Sequence, residues 1–320
     1  MNAKPDFYRD QQAWKDLQAL LPEHLRLDDA NAPQEEFWNY LGHQVHLDRY
    51  VNPDAPAKVI LHHGVGTNGR QMSMILGAPL ARRGFETVAL DNLGYGLTKV
   101  APGTTFSYDD WVDLVVDFIA YERTRDDRPI VLYGLSAGGM LTYHVAAKAP
   151  KGALRGIVGM TFLDQRVQQV RDETAHDILT SRIGIPLMGQ LAKTLAAKLK
   201  YPMTLASKMS ALANNEAAMK VFLRDRTSAG NWMSVRFLAS YGNYVPVLEP
   251  EQFDRCPVLL TQPAEDRWTP LHLSTPLLSR ISKVSVETVM LENAGHYPME
   301  EPGLRQMDEA IAAFTQRVCL

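Results

Sequence analysis

Pro129-Ile-Val-Leu-Tyr-Gly134-Leu-Ser136-Ala-Gly138-Gly-Met140 is the stretch on which the reading of this chain turns. A β-type run ends in a G-x-S-x-G turn, and a helix-forming run follows. A serine hydroxyl is a weak nucleophile in water. It gains power where a turn holds it above a sheet, beside a base and two oriented amide donors. Such a turn carries its serine at positive φ, and side chains at the flanking glycines would strike the neighbouring strand and helix. Strain of this kind costs about 1–3 kcal/mol and needs a rigid surround. The strand before and the helix after supply that context, so Ser136 is the candidate nucleophile.

Outward from this turn, strand and helix alternate. Residues 58–62, 87–90, 129–133 and 154–162 read as short buried strands. Helices fall over 71–83, closed by Gly84, over 107–123 and over 137–149. In the second of these, Ser107 offers an N-cap and Asp109 and Asp110 suit the first turn. Alternation resumes with strands at 258–261 and 284–291 and a helix over 303–318. Upstream, residues 37–52 read as a hairpin about Gly42, and 6–22 as a helix with Phe7, Trp14, Leu17, Leu20 and Leu21 on its docking face. The pattern predicts an α/β fold: a mostly parallel central sheet with helices on both faces.

Residues 165–250 break the rhythm. They show helical stretches around 166–180, 187–199, 203–212, 215–225 and 231–241, no convincing strand, and many methionines, among them Met188, Met203, Met209, Met219 and Met233. Residues 1–164 and 251–320 therefore read as the α/β core, and 165–250 as a helical cap over its carboxyl edge. Met at helical spacing is ordinary core or the lining of an adaptable apolar pocket. His176, Arg171 and Arg182 are either solvated or readers of a polar head group.

Three further motifs fall just past strand ends, where a parallel sheet gathers its loops at one edge. His62-His63-Gly64-Val65-Gly66 follows the 58–62 strand, and its backbone can present N–H groups to an acyl oxygen. Val65 and Ala137 are the expected pair of oxyanion donors. His62 and Gly64 are candidate substrate contacts, although for His62 a structural role bracing the loop is the stronger reading. Asp266 follows the 258–261 strand and His296 follows the last strand, in Asn293-Ala-Gly295-His296-Tyr-Pro298. A histidine can take the serine proton and return it to a leaving group while an aspartate fixes its tautomer. Asp164 competes with Asp266 for that place, and Asp254 and Glu265 lie nearby. Asp91 reads as tightening its own turn.

With these residues the chain resembles the α/β-hydrolase superfamily over essentially its whole length, in the order nucleophile, acid, histidine. Asp91-Asn-Leu-Gly94-Tyr-Gly96-Leu-Thr98 resembles the family's turn after its fourth strand, with Thr98 where serine is commoner. The His63-Gly64-Val65-Gly66 stretch and the cap are most similar to monoacylglycerol lipases and lysophospholipases, although Ala137 stands where those enzymes usually carry methionine. The resemblance implies a serine hydrolase cleaving a carboxylic ester of an apolar acyl group through an acyl-enzyme, with no metal or organic cofactor. It also leaves open an amidase, thioesterase, acyltransferase, C–C hydrolase or cofactor-free peroxidase reaction, or a ligand-binding scaffold.

Bulk composition agrees with a globular enzyme. The 320 residues are 46% hydrophobic and 22% charged, with a net charge of −3. That balance, without basic runs, argues against a nucleic-acid partner. Cys256 and Cys319 read as free thiols. The first 16 positions carry charge throughout and offer no signal peptide. No apolar run reaches the roughly 18–20 residues that span a bilayer, so a cytoplasmic protein acting on a small-molecule ester is the expectation.

Overall fold

The computed structural model describes residues 6–320. The first five residues, part of the stretch read as lacking a signal peptide, lie outside them. Ten strands follow in chain order: β1 (Gln34–Tyr40), β2 (His43–Tyr50), β3 (Lys58–His62), β4 (Glu86–Leu90), β5 (Ile130–Gly134), β6 (Gly156–Gly159), β7 (Lys200–Pro202), β8 (Trp232–Ser234), β9 (Val258–Pro263) and β10 (Val286–Leu291). Eight form one sheet in the order β1-β2-β4-β3-β5-β6-β9-β10, and β7 pairs with β8 apart from it. Within the large sheet β2 runs antiparallel to β1 and β4 and the other pairs are parallel, while the separate β7–β8 pair is antiparallel. The mainly parallel α/β architecture expected from the alternation is what forms.

Strands β3 to β6 are buried along their whole length. Burial on both faces explains why they read as apolar runs rather than alternating ones. Their register sets the site. His62 pairs with Gly134, Gly134 with Gly159, and Pro263 with Leu291. The segments that follow these residues therefore leave the sheet at one edge.

The hairpin turns at Leu41 and Gly42, both at positive φ (47° and 83°), the two-residue geometry whose twist matches antiparallel strands. The helix expected at 71–83 begins at Gly69, because Asn68 and Gln71 form a capping box, and it passes through a π-helical turn at Ser73–Gly77. Helices Tyr108–Arg125, Ala137–Lys148 and Gly303–Cys319 stand close to their expected bounds.

Two expectations need correction. The stretch 6–22 is not one helix: a 3₁₀ turn at Tyr8–Asp10 precedes a helix at Gln12–Gln18. Gln11 is extended there, and its side chain reaches Asp225 and Thr227 at 3.3 and 2.9 Å. Trp14, Leu17 and Leu21 are buried, so the segment does dock. Residues 165–250 do contain strands, the three-residue β7 and β8. Pairs this short leave no periodic signal. The rest of that segment carries helices Gln168–Thr174, Ile185–Leu191, Glu216–Arg224 and Val235–Gly242, with shorter turns between. Cys256 and Cys319 are free thiols, and no helix among the described residues is long and apolar enough to cross a membrane.

Candidate active site

Ser136 sits between β5 and helix Ala137–Lys148, at φ 56° and ψ −126°. Its conformation is held from several sides. Leu135 N–H donates to His62 O at 3.1 Å, Gly139 N–H to Ser136 O at 2.8 Å, and the Thr161 hydroxyl to the same carbonyl at 3.2 Å. The glycines are there for backbone approach. A Cβ on Gly134 would stand 1.9 Å from Gly138 O, and one on Gly138 would stand 2.7 Å from His63 O. Gly139 packs as tightly on Thr161 O, at 2.0 Å, a requirement the G-x-S-x-G pattern does not include. Packing from these sides holds the strained backbone in place, and the serine stays raised at the sheet edge.

The His63–Gly66 loop lies directly against this turn. A Cβ on Gly64 would fall 2.6 Å from Leu135 O and 2.8 Å from Ser136 Cβ, so Gly64 permits contact between backbones rather than contact with a ligand. No hydrogen bond within the described residues takes the N–H of Val65 or of Ala137. His63, not His62, braces the loop. Its Nε2 accepts from Asn92 N–H at 2.9 Å, which leaves Nδ1 as the donor to Gly64 O at 2.7 Å. His62 is fully buried, both its ring nitrogens lack partners among the described residues, and burial followed by the neighbouring His63 lowers its pKa to about 3. It does not line the cavity described below.

Asp91 tightens its turn, accepting from Leu97 N–H at 2.8 Å. It also accepts from Gly69 N–H at 2.7 Å and from the Tyr8 hydroxyl, tying the 63–70 loop to the N-terminal segment. His46 lies against Asp91 and Glu35, and Arg70 grips Asp48 through two nitrogens at 2.6 and 2.9 Å. Glu35, His46 and Asp48 have the spacing of a metal site. Yet Arg70 already neutralises Asp48, and the two carboxylates raise His46 to about 9 against the opposing effect of burial. All three residues are already engaged within the protein, Asp48 and Glu35 with Arg70 and His46 with Glu35 and Asp91, so the cluster reads as a structural ion network.

Asp266 and His296 are brought together. Asp266 Oδ1 accepts from the N–H groups of Trp268 and Thr269, both at 2.8 Å, and Oδ2 accepts from the Thr269 hydroxyl at 2.8 Å. His296 Nδ1 is 2.9 Å from Oδ2. Burial opposes ionisation of Asp266, but the His296 ring and the Thr269 hydrogen bonds prevail and hold it at about 2. An ionised carboxylate only accepts, so Nδ1 carries the proton and Nε2 keeps its lone pair in the neutral ring. Nε2 has no partner among the described residues, and no hydrogen bond links it to Ser136. Asp164 is engaged elsewhere, gripped by Arg166, which also pairs with Glu249. Asp254 pairs with Lys151 on the surface.

Ser136 and Val65 line a narrow cavity of about 60 Å³. Leu163 and Trp268 complete its wall from the sheet side, and Ile185, Met188, Met203, Leu238 and Tyr241 from the 165–250 segment. Met209 packs over Gly66 instead, and Met219 and Met233 are buried away from the cavity. Arg171, His176 and Arg182 do not line it; Arg182 pairs with Asp172 and His176 with Asp177. His296 is not among the residues that line the cavity. Trp268, which lines it, has its ring 4.7 Å from the imidazole and its Nε1–H donating to Thr174 O. Sequence reasoning passed over Trp268, Thr269 and Thr161. The first two had a usable signal, since they immediately follow the candidate acid.

A model of the alpha/beta hydrolase family matches residues 59–313. No curated protein matches the sequence. Among solved structures, the chain is similar to a monoacylglycerol lipase from Paleococcus ferrophilus, at 19% identity and a TM-score of 0.65, covering 84% of this chain and 97% of that one. It is also similar to a soluble variant of monoglyceride lipase from Saccharomyces cerevisiae bound to a substrate analogue, at 15% identity and 0.72, covering 93% and 98%. A thioesterase domain from the curacin biosynthetic pathway matches at 16% identity and 0.58, covering 89% and 100%. At these identities the likeness is one of fold.

Proposed function

This chain belongs to the alpha/beta hydrolase family, and we propose that it is a serine hydrolase cleaving a carboxylic ester of an apolar acyl group. The observation that carries the reading is the Asp266–His296 pair, emerging from the same sheet edge as the strained Ser136 beside an apolar cavity. Ser136 Oγ attacks the carbonyl carbon as His296 Nε2 takes its proton. The amides of Val65 and Ala137 hold the oxyanion, and Asp266 steadies the imidazolium. His296 then protonates the leaving alcohol, and an acyl-enzyme remains. Water, deprotonated by the same nitrogen, releases the acid.

Residues 165–250 act as a helical cap on a core built from 1–164 and 251–320, and the cap supplies the apolar wall against which the acyl group lies. The test is turnover of a panel of p-nitrophenyl esters, with labelling by a fluorophosphonate probe. The wild type is expected to hydrolyse esters and to be labelled, and Ser136→Ala to do neither while keeping its circular dichroism and melting temperature. Wild-type turnover by Ser136→Ala sinks the assignment.

A further inference from the structure

The cavity is mostly apolar, but besides Ser136 its wall carries Gln165, Thr174, Thr180, Ser207 and Tyr241. Gln165 Nε2 lies 3.4 Å from Thr174 Oγ1 and 3.5 Å from the Tyr241 hydroxyl oxygen, both at the long limit of a hydrogen bond. Thr174 has spent its own proton on Val170 O at 2.7 Å, and the Ser207 hydroxyl on Met203 O at 3.1 Å. The Tyr241 proton and Gln165 Oε1 have no partner among the described residues, although both residues line the cavity. One donor and one acceptor of the Gln165–Tyr241 pair thus remain open in a space whose wall includes Leu163, Ile185, Met188, Met203 and Leu238. Burial pushes the Tyr241 phenol up to about 12, against the Gln165 contact, so it keeps its proton.

A purely alkyl occupant would displace water from these groups and leave them unpaired. No ionised side chain lines the cavity, so a charged substituent would find no counter-charge there. We propose that the acyl group this site takes carries a neutral oxygen function, a hydroxyl or a ketone, hydrogen-bonded by Gln165 and Tyr241. The inference rests on the ester-hydrolase reading and narrows it to oxygenated acyl groups. A site that hydrogen-bonds an oxygen rejects the analogue lacking it far more strongly than an apolar pocket tells one methylene from another.

The test compares p-nitrophenyl hexanoate with p-nitrophenyl 5-oxohexanoate and p-nitrophenyl 6-hydroxyhexanoate on wild type, Tyr241→Phe and Gln165→Leu. The wild type should favour at least one oxygenated ester by about tenfold or more in kcat/KM. Each variant should lower that ester at least fivefold more than the plain one. Equal rates on all three esters, or equal losses across them, overturn the proposal. Calorimetric binding of the matching amides to Ser136→Ala separates the two readings. A preference for the oxygenated amide in a protein whose wild type hydrolyses no ester keeps the pocket and sinks the hydrolase; ester turnover without that preference does the reverse.

Discussion

Nδ1 of His296 stands 2.9 Å from Oδ2 of Asp266, while Asp164, the other carboxylate past a strand end, is held by Arg166. Asp266→Asn should therefore lower kcat by about 10⁴, as loss of the orienting carboxylate does in other triads. The amide would present a donor where Nδ1–H needs an acceptor, favouring the wrong tautomer. Asp164→Asn should instead lower the melting temperature by loosening the Arg166–Glu249 pairing, with kcat within a few fold of wild type. Steady-state kinetics on both variants decide it. A large kcat loss in Asp164→Asn alone would exchange their roles.

Gly64 and Ser136 provide a second test, through contact alone. A methyl on Gly64 would meet Leu135 O at 2.6 Å and Ser136 Cβ at 2.8 Å. Neither is a flexible side-chain end, so the loop must retreat from the turn and carry Val65 N–H with it. Gly64→Ala should then cost about 10²–10³ in kcat, the usual price of one oxyanion donor. Circular dichroism should stay native. Unchanged kcat in a folded variant would show that Val65 is not a donor.

The buried ion network gives the protein a pH window. His46 lies 2.9 Å from Glu35 and 3.2 Å from Asp91. Its pKa is raised to about 9, so its contribution is complete below the unfolded value of about 6.5 and is lost as pH rises through 9. Asp91 and Glu35 are the opposite case. Burial works against their ionisation, but His46 and hydrogen-bond donors depress both to about 2, so their contribution is present above roughly pH 4 and lost as pH falls towards 2. Thermal melts should show stability falling between pH 7 and 9.5. His46→Gln should melt lower at pH 7 and lose less over that interval. An identical alkaline slope in the variant would assign the effect to other groups.

Much of this was legible beforehand, for a physical reason. Strands such as Lys58–His62 and Ile130–Gly134 are buried on both faces, and the helices between them carry caps, as at Ser107 and Asp110. Local chemistry thus records the α/β core directly. Loops after parallel strands share an edge, which made Asp266 and His296 candidates across 30 positions. What escaped depends on distant partners. Gln11 breaks the N-terminal helix by reaching Asp225 and Thr227, and His63 rather than His62 braces the loop because Asn92 happens to lie opposite it. Tyr241 and Gln165 look like ordinary residues of a helical stretch until the cavity brings them together. Substrate choice is written in such long-range contacts, so it is the least readable part of the sequence.

The size of the cavity bears on acyl length. About 60 Å³ holds only a few waters, well short of the room a long alkyl chain needs. Ester turnover should therefore fall as the acyl chain lengthens from butyryl to palmitoyl. Met188 is a suitable residue for moving that limit. It lines the cavity from helix Ile185–Leu191 and is buried within the 165–250 segment rather than in the sheet core. Truncating it enlarges the space at a stability cost of about 2 kcal/mol, the low end for a buried methionine. In Met188→Ala, kcat/KM should rise for octanoyl relative to butyryl esters, with the Ser136 chemistry untouched. Graded p-nitrophenyl esters read this directly. If the variant kept the wild-type length profile while its melting temperature fell, Met188 would be ordinary packing and the acyl chain would lie elsewhere.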